Sequence, residues 1–222
     1  NLERGYKAVM LRVGDTPARD IARVRAVRKA CGEELAILTD GNTGCSLEDA
    51  RKLMPAFQEV NVGWLEEPFP LGDYRNYKIA STFATVPLAA GENHYTRFEF
   101  NRLIEDGAIR IFQPDVSKTG GITEGMRIAA LASAWKIPIN PHTSMTGLNM
   151  AASIHFLASI DNGGYFEADV SKINPFREGL TSLPYQVDAN GNVYPLDKPG
   201  LGVEVDESFI KAYPVIEGPA FV

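Results

Sequence analysis

Seven polar residues recur along this chain at nearly even intervals: Arg12, Asp40, Glu66, Glu92, Asp115, His142 and Glu167. The successive gaps are 28, 26, 26, 23, 27 and 25 residues, each close to one strand-plus-helix unit. Taken singly, any carboxylate in the series could be no more than the N-cap of a following helix. Five carboxylates at one end of a sheet, however, would repel strongly unless a cation intervened. Asp40, Glu66 and Glu92, from three successive units, would supply three hard oxygen donors. That set suits Mg²⁺, which takes few carboxylates and keeps positions open for water or substrate. Asp115 and His142, on neighbouring units, can form a hydrogen-bonded pair in which the carboxylate orients the imidazole and raises its basicity. The chain has two other histidines. His155 lies in an apolar helical stretch and reads as structural, whereas His94, just after Glu92, is a candidate substrate contact.

These residues need elements that bring them to one place. Apolar or β-branched runs at 8–13, 35–40, 62–67, 86–92, 108–115, 137–142 and 164–169 read as strands, each ending on or beside a member of the series. Helical stretches lie between them. Thr16-Pro17 offers a cap and an N1 proline ahead of Ile21, Val24 and Ala30 or Cys31 on one apolar face. Ser46 with Asp49 resembles a capping box, and Thr96 with Glu99 fits the full pattern. Gly32 and Gly107 stand where helices should stop. Pro55 is expected to interrupt and bend the second helix. Strands alternating with helices imply a parallel sheet, because each crossover needs a helix. An open doubly wound sheet would usually carry a Gly-rich phosphate turn after its first strand, and Val13-Gly14-Asp15-Thr16 has a single glycine. The expected fold is therefore a (β/α) barrel with functional groups at the C-terminal ends of its strands. Residues 1–175 form the barrel units in this reading. Residues 176–222 form an appended segment, with a hairpin signal at Asn190-Gly191 and a turn-rich KPGLG at 198–202.

Asn1–Arg4 reads as the tail of a helix ending at Gly5, which suggests that the chain is part of something longer, with one strand expected ahead of Asn1. Bulk composition is that of an ordinary globular chain: 45% hydrophobic, 23% charged, formal net charge -6. A mildly acidic surface offers no general attraction to nucleic acid or to an anionic membrane. No apolar run approaches a membrane span, and NLERGYK lacks a signal-peptide core. Two cysteines, Cys31 and Cys45, are too few for a disulfide framework, so a reducing cytoplasm is the expected location.

The segments TDGN (39–42), WLEEP (64–68), AAGEN (89–93), QPDVSKTGG (113–121), PHTS (141–144) and YFEAD (165–169) together resemble the mandelate racemase and muconate-lactonizing group of the enolase superfamily. The likeness runs from residue 5 to the end of the chain. It implies a modified eight-unit TIM barrel, here strands 2–8, with the first strand and an N-terminal α+β capping domain missing. Without them the isolated segment is expected to be unstable, since a sheet edge and an apolar interior would be uncovered. The resemblance also implies a required cap domain; a homo-oligomer is a further expectation. Members of the group remove the α-proton of a carboxylate substrate, with Mg²⁺ stabilising the enediolate. Carried over position by position, Asp40, Glu66 and Glu92 would be the Mg²⁺ ligands, Glu66 being preferred to Glu67 as the first glutamate of the EEP triplet. His142 would be the general acid–base, oriented by Asp115. Glu167 would contact the substrate carboxylate, and Asn42 the substrate.

One departure bears on the reaction. Racemases of this group carry Lys-X-Lys on the second strand, supplying a base on the opposite face. Here the residues are Met10-Leu11-Arg12, and an arginine is a poor base but a good cation for a carboxylate or an enediolate. A single His–Asp face can take an α-proton and return it to a departing β-hydroxyl. The favoured expectation is therefore a lyase that dehydrates a sugar acid, an aldonate or aldarate. A racemase, epimerase or cycloisomerase of the same group is the enzymatic alternative, and an acid-binding barrel without catalysis is the alternative from another class.

Overall fold

A computed structural model of the chain describes residues 5–143 and 146–217. Five parallel strands lie in sequence order, β1 (Ala8–Arg12), β2 (Ala36–Asp40), β3 (Val62–Glu66), β4 (Leu88–Ala90) and β5 (Ile111–Phe112). Single parallel bridges from Phe112 to Ile139 and from Ile139 to Gly163 carry the same curl two steps further. The crossovers are α1 (Pro17–Cys31), α2 (Leu47–Glu59), α3 (Tyr74–Ser81) and α4 (Thr96–Asp106), with α5 (Gly121–Ala134) and α6 (Gly147–Leu157) after β5. Strictly sequential parallel order with a helix at each step is the partial barrel expected from the strand spacing. Among the described residues no helix is long and apolar enough to cross a membrane. The helix tail expected at Asn1–Arg4, and Ser144 of the PHTS segment, lie outside the described residues.

Alternation along the strands separates two cores. Ile37, Leu65, Leu88, Ala90 and Phe112 belong to the large cluster that packs the sheet against the helices, with Leu53, Phe57, Phe100 and Ile128 fully buried there. Leu38, Trp64, Ala89 and Ile111, joined by Ala8 and Met10, form a small interior cluster. Arg12, Asp40 and Glu66 follow Met10, Leu38 and Trp64 by two positions, so they stand on the interior face one step nearer the strand ends.

Helix boundaries follow local chemistry. Thr16 caps α1 by accepting from the Arg19 amide, Ser46 and Asp49 form a reciprocal capping box on α2, and Gly32 and Gly107 stand at the C-caps of α1 and α4. Two local expectations fail. Tyr95, not Thr96, is the N-cap of α4; Thr96 is already helical, and Glu99 reaches back to accept from the Tyr95 amide. Pro55 does not interrupt α2, which runs unbroken from Leu47 to Glu59.

The last two predicted strands, 137–142 and 164–169, are not ladders: Ile139 alone bridges, to Phe112 on one side and to Gly163, just ahead of the second run, on the other. Side chains take the place of backbone partners there. Asn140 Oδ1 accepts from the Tyr165 amide at 2.6 Å, Asn162 Nδ2 donates to the Ile137 carbonyl at 2.9 Å, and Glu167 Oε2 accepts from the Thr143 amide at 2.8 Å. The hairpin expected around Asn190-Gly191 is likewise reduced to a turn, closed by Asp188 N to Asn192 O at 2.9 Å, and an antiparallel bridge between Thr181 and Val205. Two short helices, α7 (Pro175–Glu178) and α8 (Glu207–Ala212), complete this segment. It returns to the start of the barrel, where Gly191 sits so close to Gly5 that a β-carbon would come within 2.9 Å of the Gly5 carbonyl oxygen.

Gly91 shows how tightly the sheet is closed near the strand ends. A β-carbon on it would lie 2.6 Å from the Gln113 amide nitrogen. Gly91→Ala should therefore force β4 and β5 apart and destabilise the fold by about 1–3 kcal/mol, the usual range for overpacking. Urea denaturation of the two proteins side by side measures it.

Candidate active site

Strand register sets the site. Arg12 pairs with Asp40 across β1 and β2, and Asp40 with Glu66 across β2 and β3, so these three residues stand level. Glu92 and Asp115 lie just beyond the ends of β4 and β5, and His142 follows the bridge at Ile139. Glu92 and His142, with Arg12, Asp40, Asn42, Lys118 and Glu167, surround a cavity of about 490 Å³ at the strand ends, and Asp115 is buried behind His142. Glu66 itself is buried behind its wall.

Each acidic group is turned towards a neighbour. Arg12 Nη1 donates to Asp40 Oδ2 at 2.5 Å, and the Asn42 amide donates to Asp40 Oδ1 at 2.7 Å. Gln113 Nε2 donates to Glu66 Oε2 at 2.5 Å, with Trp64 Nε1 at 3.4 Å from the same oxygen. Asn93 Nδ2 bridges Glu92 Oε1 and Glu67 Oε2 at 2.9 and 2.7 Å. His142 stands between two carboxylates, with Nδ1 2.8 Å from Asp115 Oδ2 and Nε2 2.6 Å from Glu92 Oε2. Asp115 is fixed in turn by the Ser117 hydroxyl at 2.6 Å and by Asn149 Nδ2 at 3.2 Å.

The electrostatics follow from this crowding. Burial pushes the Asp40 carboxyl above its ordinary value, and the charge of Glu92 adds to the rise while Arg12 opposes it. Burial drives Glu66 well up, reinforced by the charges of Asp40 and Glu167. Glu167 is also raised, again chiefly by burial. For Glu92 and Asp115 burial acts in the same direction, but hydrogen bonds from His142 outweigh it and hold both below the usual range. Burial alone would lower the imidazole of His142. The hydrogen bonds to Asp115 and Glu92 and the charges of Glu167 and Glu92 prevail and raise it to about 10.

The donor set fits a hard divalent cation in kind. Asp40, Glu66 and Glu92 offer oxygen only, from three adjacent strands, and their mutual repulsion is what such an ion would relieve. Among the described residues no three His, Cys, Asp or Glu side chains already converge as a metal cage, because each carboxylate faces its own nitrogen donor. Binding an ion would mean exchanging those donors.

His94 is not brought to this cavity. It is fully buried, edge-on to Tyr74 and Phe100, and neither ring nitrogen meets a protein partner. Burial lowers its pKa, so it serves as a neutral core residue instead of the expected substrate contact. Sequence reading passed over Gln113, which holds Glu66, and Lys118, which lines the cavity. Both lie in QPDVSKTGG, and the period of two that places Ile111 on the interior face also puts Gln113 there.

The fold is thus a partial parallel (β/α) barrel whose strand ends carry three acidic residues in sequence and a His–Asp pair. The chain matches the enolase C-terminal domain-like family over residues 1–209, and it belongs to that family. Over its whole length it is 55% identical to a member of the enolase superfamily from Polaromonas sp. JS666, covering 58% of that chain with a TM-score of 0.94. It is 30% identical to the arabinonate dehydratase of Saccharolobus solfataricus, over 96% of this chain and 56% of that enzyme. A racemase from Streptomyces coelicolor A3(2), solved with bound magnesium, is 27% identical over 96% of this chain and 57% of its own, with a TM-score of 0.85. The chain thus spans a little over half the length of these proteins.

The bridging imidazole gives a pH signature. Its folded pKa of about 10 lies above the ordinary 6.5. The stability it contributes is therefore complete below about pH 6.5 and lost as pH rises through about 10. With chelator present, the melting temperature of the wild type should fall across that window more steeply than that of His142→Asn. Parallel curves would show that the imidazolium bridge contributes nothing.

Proposed function

We propose that this chain is the catalytic barrel of a Mg²⁺-dependent lyase that dehydrates a sugar acid by abstracting its α-proton. The observation that carries the reading is the His142 triad: Asp115 holds Nδ1 at 2.8 Å and so directs the other nitrogen, Nε2, towards the cavity. In the neutral imidazole Nδ1 keeps its proton on Asp115, and the lone pair sits on Nε2. A substrate that displaces Glu92 from Nε2 meets that lone pair, and the loss of the Glu92 contact lowers the imidazole pKa towards that of a working base.

His142 takes the α-proton, and the Cα–H electron pair becomes the Cα–Cβ double bond. The β-hydroxyl then leaves with the proton that His142 returns, as water, and the resulting enol becomes a 2-keto-3-deoxy acid. Arg12 stays protonated and offers its guanidinium to the substrate carboxylate, while Glu167 and Asn42 contact the substrate from the rim. Asp40, Glu66 and Glu92 would hold Mg²⁺, which when bound supplies positive charge to the carboxylate whose α-proton is removed. Arg12 where a second base would stand favours dehydration over racemisation. A cap domain, a cytoplasmic location and a homo-oligomeric state belong to this same reading.

Two measurements on the full-length protein test it. Mg²⁺ should raise the melting temperature of the wild type but not of Glu66→Gln; an equal rise in both removes Glu66 from the ligand set. His142→Asn should abolish α-proton exchange into deuterated solvent, with a loss of at least about 100-fold, while keeping the Mg²⁺-dependent thermal shift. Asp115→Asn should slow exchange, and Arg12→Lys should retain much of it. Exchange that survives His142→Asn but vanishes in Arg12→Met would overturn the one-face mechanism.

A further inference from the structure

The cavity at the strand ends carries two cations that proton transfer does not use, Arg12 and Lys118. They come from opposite ends of the sheet order: Arg12 closes β1, the first strand, and Lys118 follows β5, the last. The acidic residues of β2 to β4 lie between them. Arg12 engages Asp40 through Nη1 and, with its side chain 64% exposed, keeps further N–H donors open.

Lys118 has no ion-pair or hydrogen-bond partner for its ammonium among the described residues. Its charge helps to hold Glu92 below the usual carboxylate range, but without a contact, and the groups nearby are otherwise satisfied. Glu92 already accepts from Asn93 and pairs with His142, and Asp115 is filled by His142, Ser117 and Asn149. Yet its backbone is held firmly. The Lys118 and Thr119 amides both donate to the Asp115 carbonyl, at 3.0 and 2.8 Å, and the Thr119 carbonyl accepts from Thr96 at 3.1 Å. An unpaired ammonium on a fixed turn, facing a polar cavity, is placed for an anionic group of a ligand.

We propose that Arg12 and Lys118 receive the two carboxylates of one substrate, so that the site takes a sugar diacid of the aldarate type in preference to a monoacid. The proposal rests on the reading of this cavity as a sugar-acid site and narrows it. A volume of about 490 Å³ lies within the ordinary range for a small-molecule site. Asn42, Asn140, Thr143 and Tyr165 line the space and offer partners to the hydroxyls of the chain between the two carboxylates. A monoacid would set a neutral hydroxyl against Lys118 and forgo a charge-assisted hydrogen bond.

The test is calorimetric titration of the full-length, Mg²⁺-loaded protein with a hexarate and with the hexonate of matching configuration. The diacid should bind about tenfold or more tighter, as expected for one added charge-assisted contact. Lys118→Met should bring the ratio of the two affinities close to one with its melting temperature retained, and Lys118→Arg should restore the preference. Equal affinities in the wild type, or a preference that survives Lys118→Met, overturn the proposal. So does tighter binding of a phosphorylated monoacid than of the diacid. Measuring α-proton exchange in the same samples separates the two readings. Exchange with the monoacid alone sinks the diacid assignment and leaves proton abstraction standing. Absence of exchange with either acid sinks proton abstraction, while the affinity ratio still decides the diacid question.

Discussion

Crowded negative charge at one end of the sheet is the constraint around which the rest of this molecule is arranged. Asp40, Glu66, Glu92 and Glu167 share a small volume, and burial with mutual repulsion drives Asp40, Glu66 and Glu167 towards the protonated form. A fold assembled for stability alone would not collect them there. Nitrogen donors hold them apart: Arg12 on Asp40, Gln113 on Glu66, and Asn93 with His142 on Glu92. The same charge gives His142 its unusual affinity for a proton. His142 and the acidic cluster are therefore one electrostatic object, and whatever neutralises the cluster also lowers the proton affinity of the imidazole.

Two regularities of the backbone put that charge in place. Parallel pairing sets Arg12, Asp40 and Glu66 level, and the period of two turns them inward above Met10, Leu38 and Trp64. The interior cluster beneath them is small, so the polar layer rests on a thin apolar floor, and the bulk of the hydrophobic packing lies outside, between sheet and helices. This division lets the helices carry stability while the strand ends carry chemistry.

Periodicity made the first five strands, the sequential parallel order and the level of the acidic residues legible before any coordinates. It failed where side chains substitute for backbone. Nothing in the spacing of 137–142 and 164–169 discloses that Asn140, Asn162 and Glu167 occupy the amides and carbonyls a ladder would use. His94 misled for a different reason. Proximity to Glu92 in the chain says nothing of side-chain direction, and the ring turns into the aromatic packing of Tyr74 and Phe100. Gln113 was within reach of the two-residue period. The freedom of Lys118 was not, because an unpaired charge is a property of three-dimensional surroundings.

Arg12 joins these strands of argument. A lysine at this place beside Asp40 could shed its proton when desolvated and so act as a second base. The guanidinium is a poor base, and its Nη1 contact places it on Asp40 at the edge of the acidic cluster. In the proposed reaction, proton chemistry is thereby confined to the His142 side of the cavity, and any proton taken there must be returned there or lost to solvent. A leaving group on the β-carbon turns that confinement to use, because elimination needs a base and then an acid in succession, and one imidazole supplies both. Inversion at the α-carbon needs a donor on the opposite side, where this chain presents a group that never lets its proton go. On the proposed mechanism, a guanidinium in place of an amine, with no change of charge, therefore favours elimination over inversion.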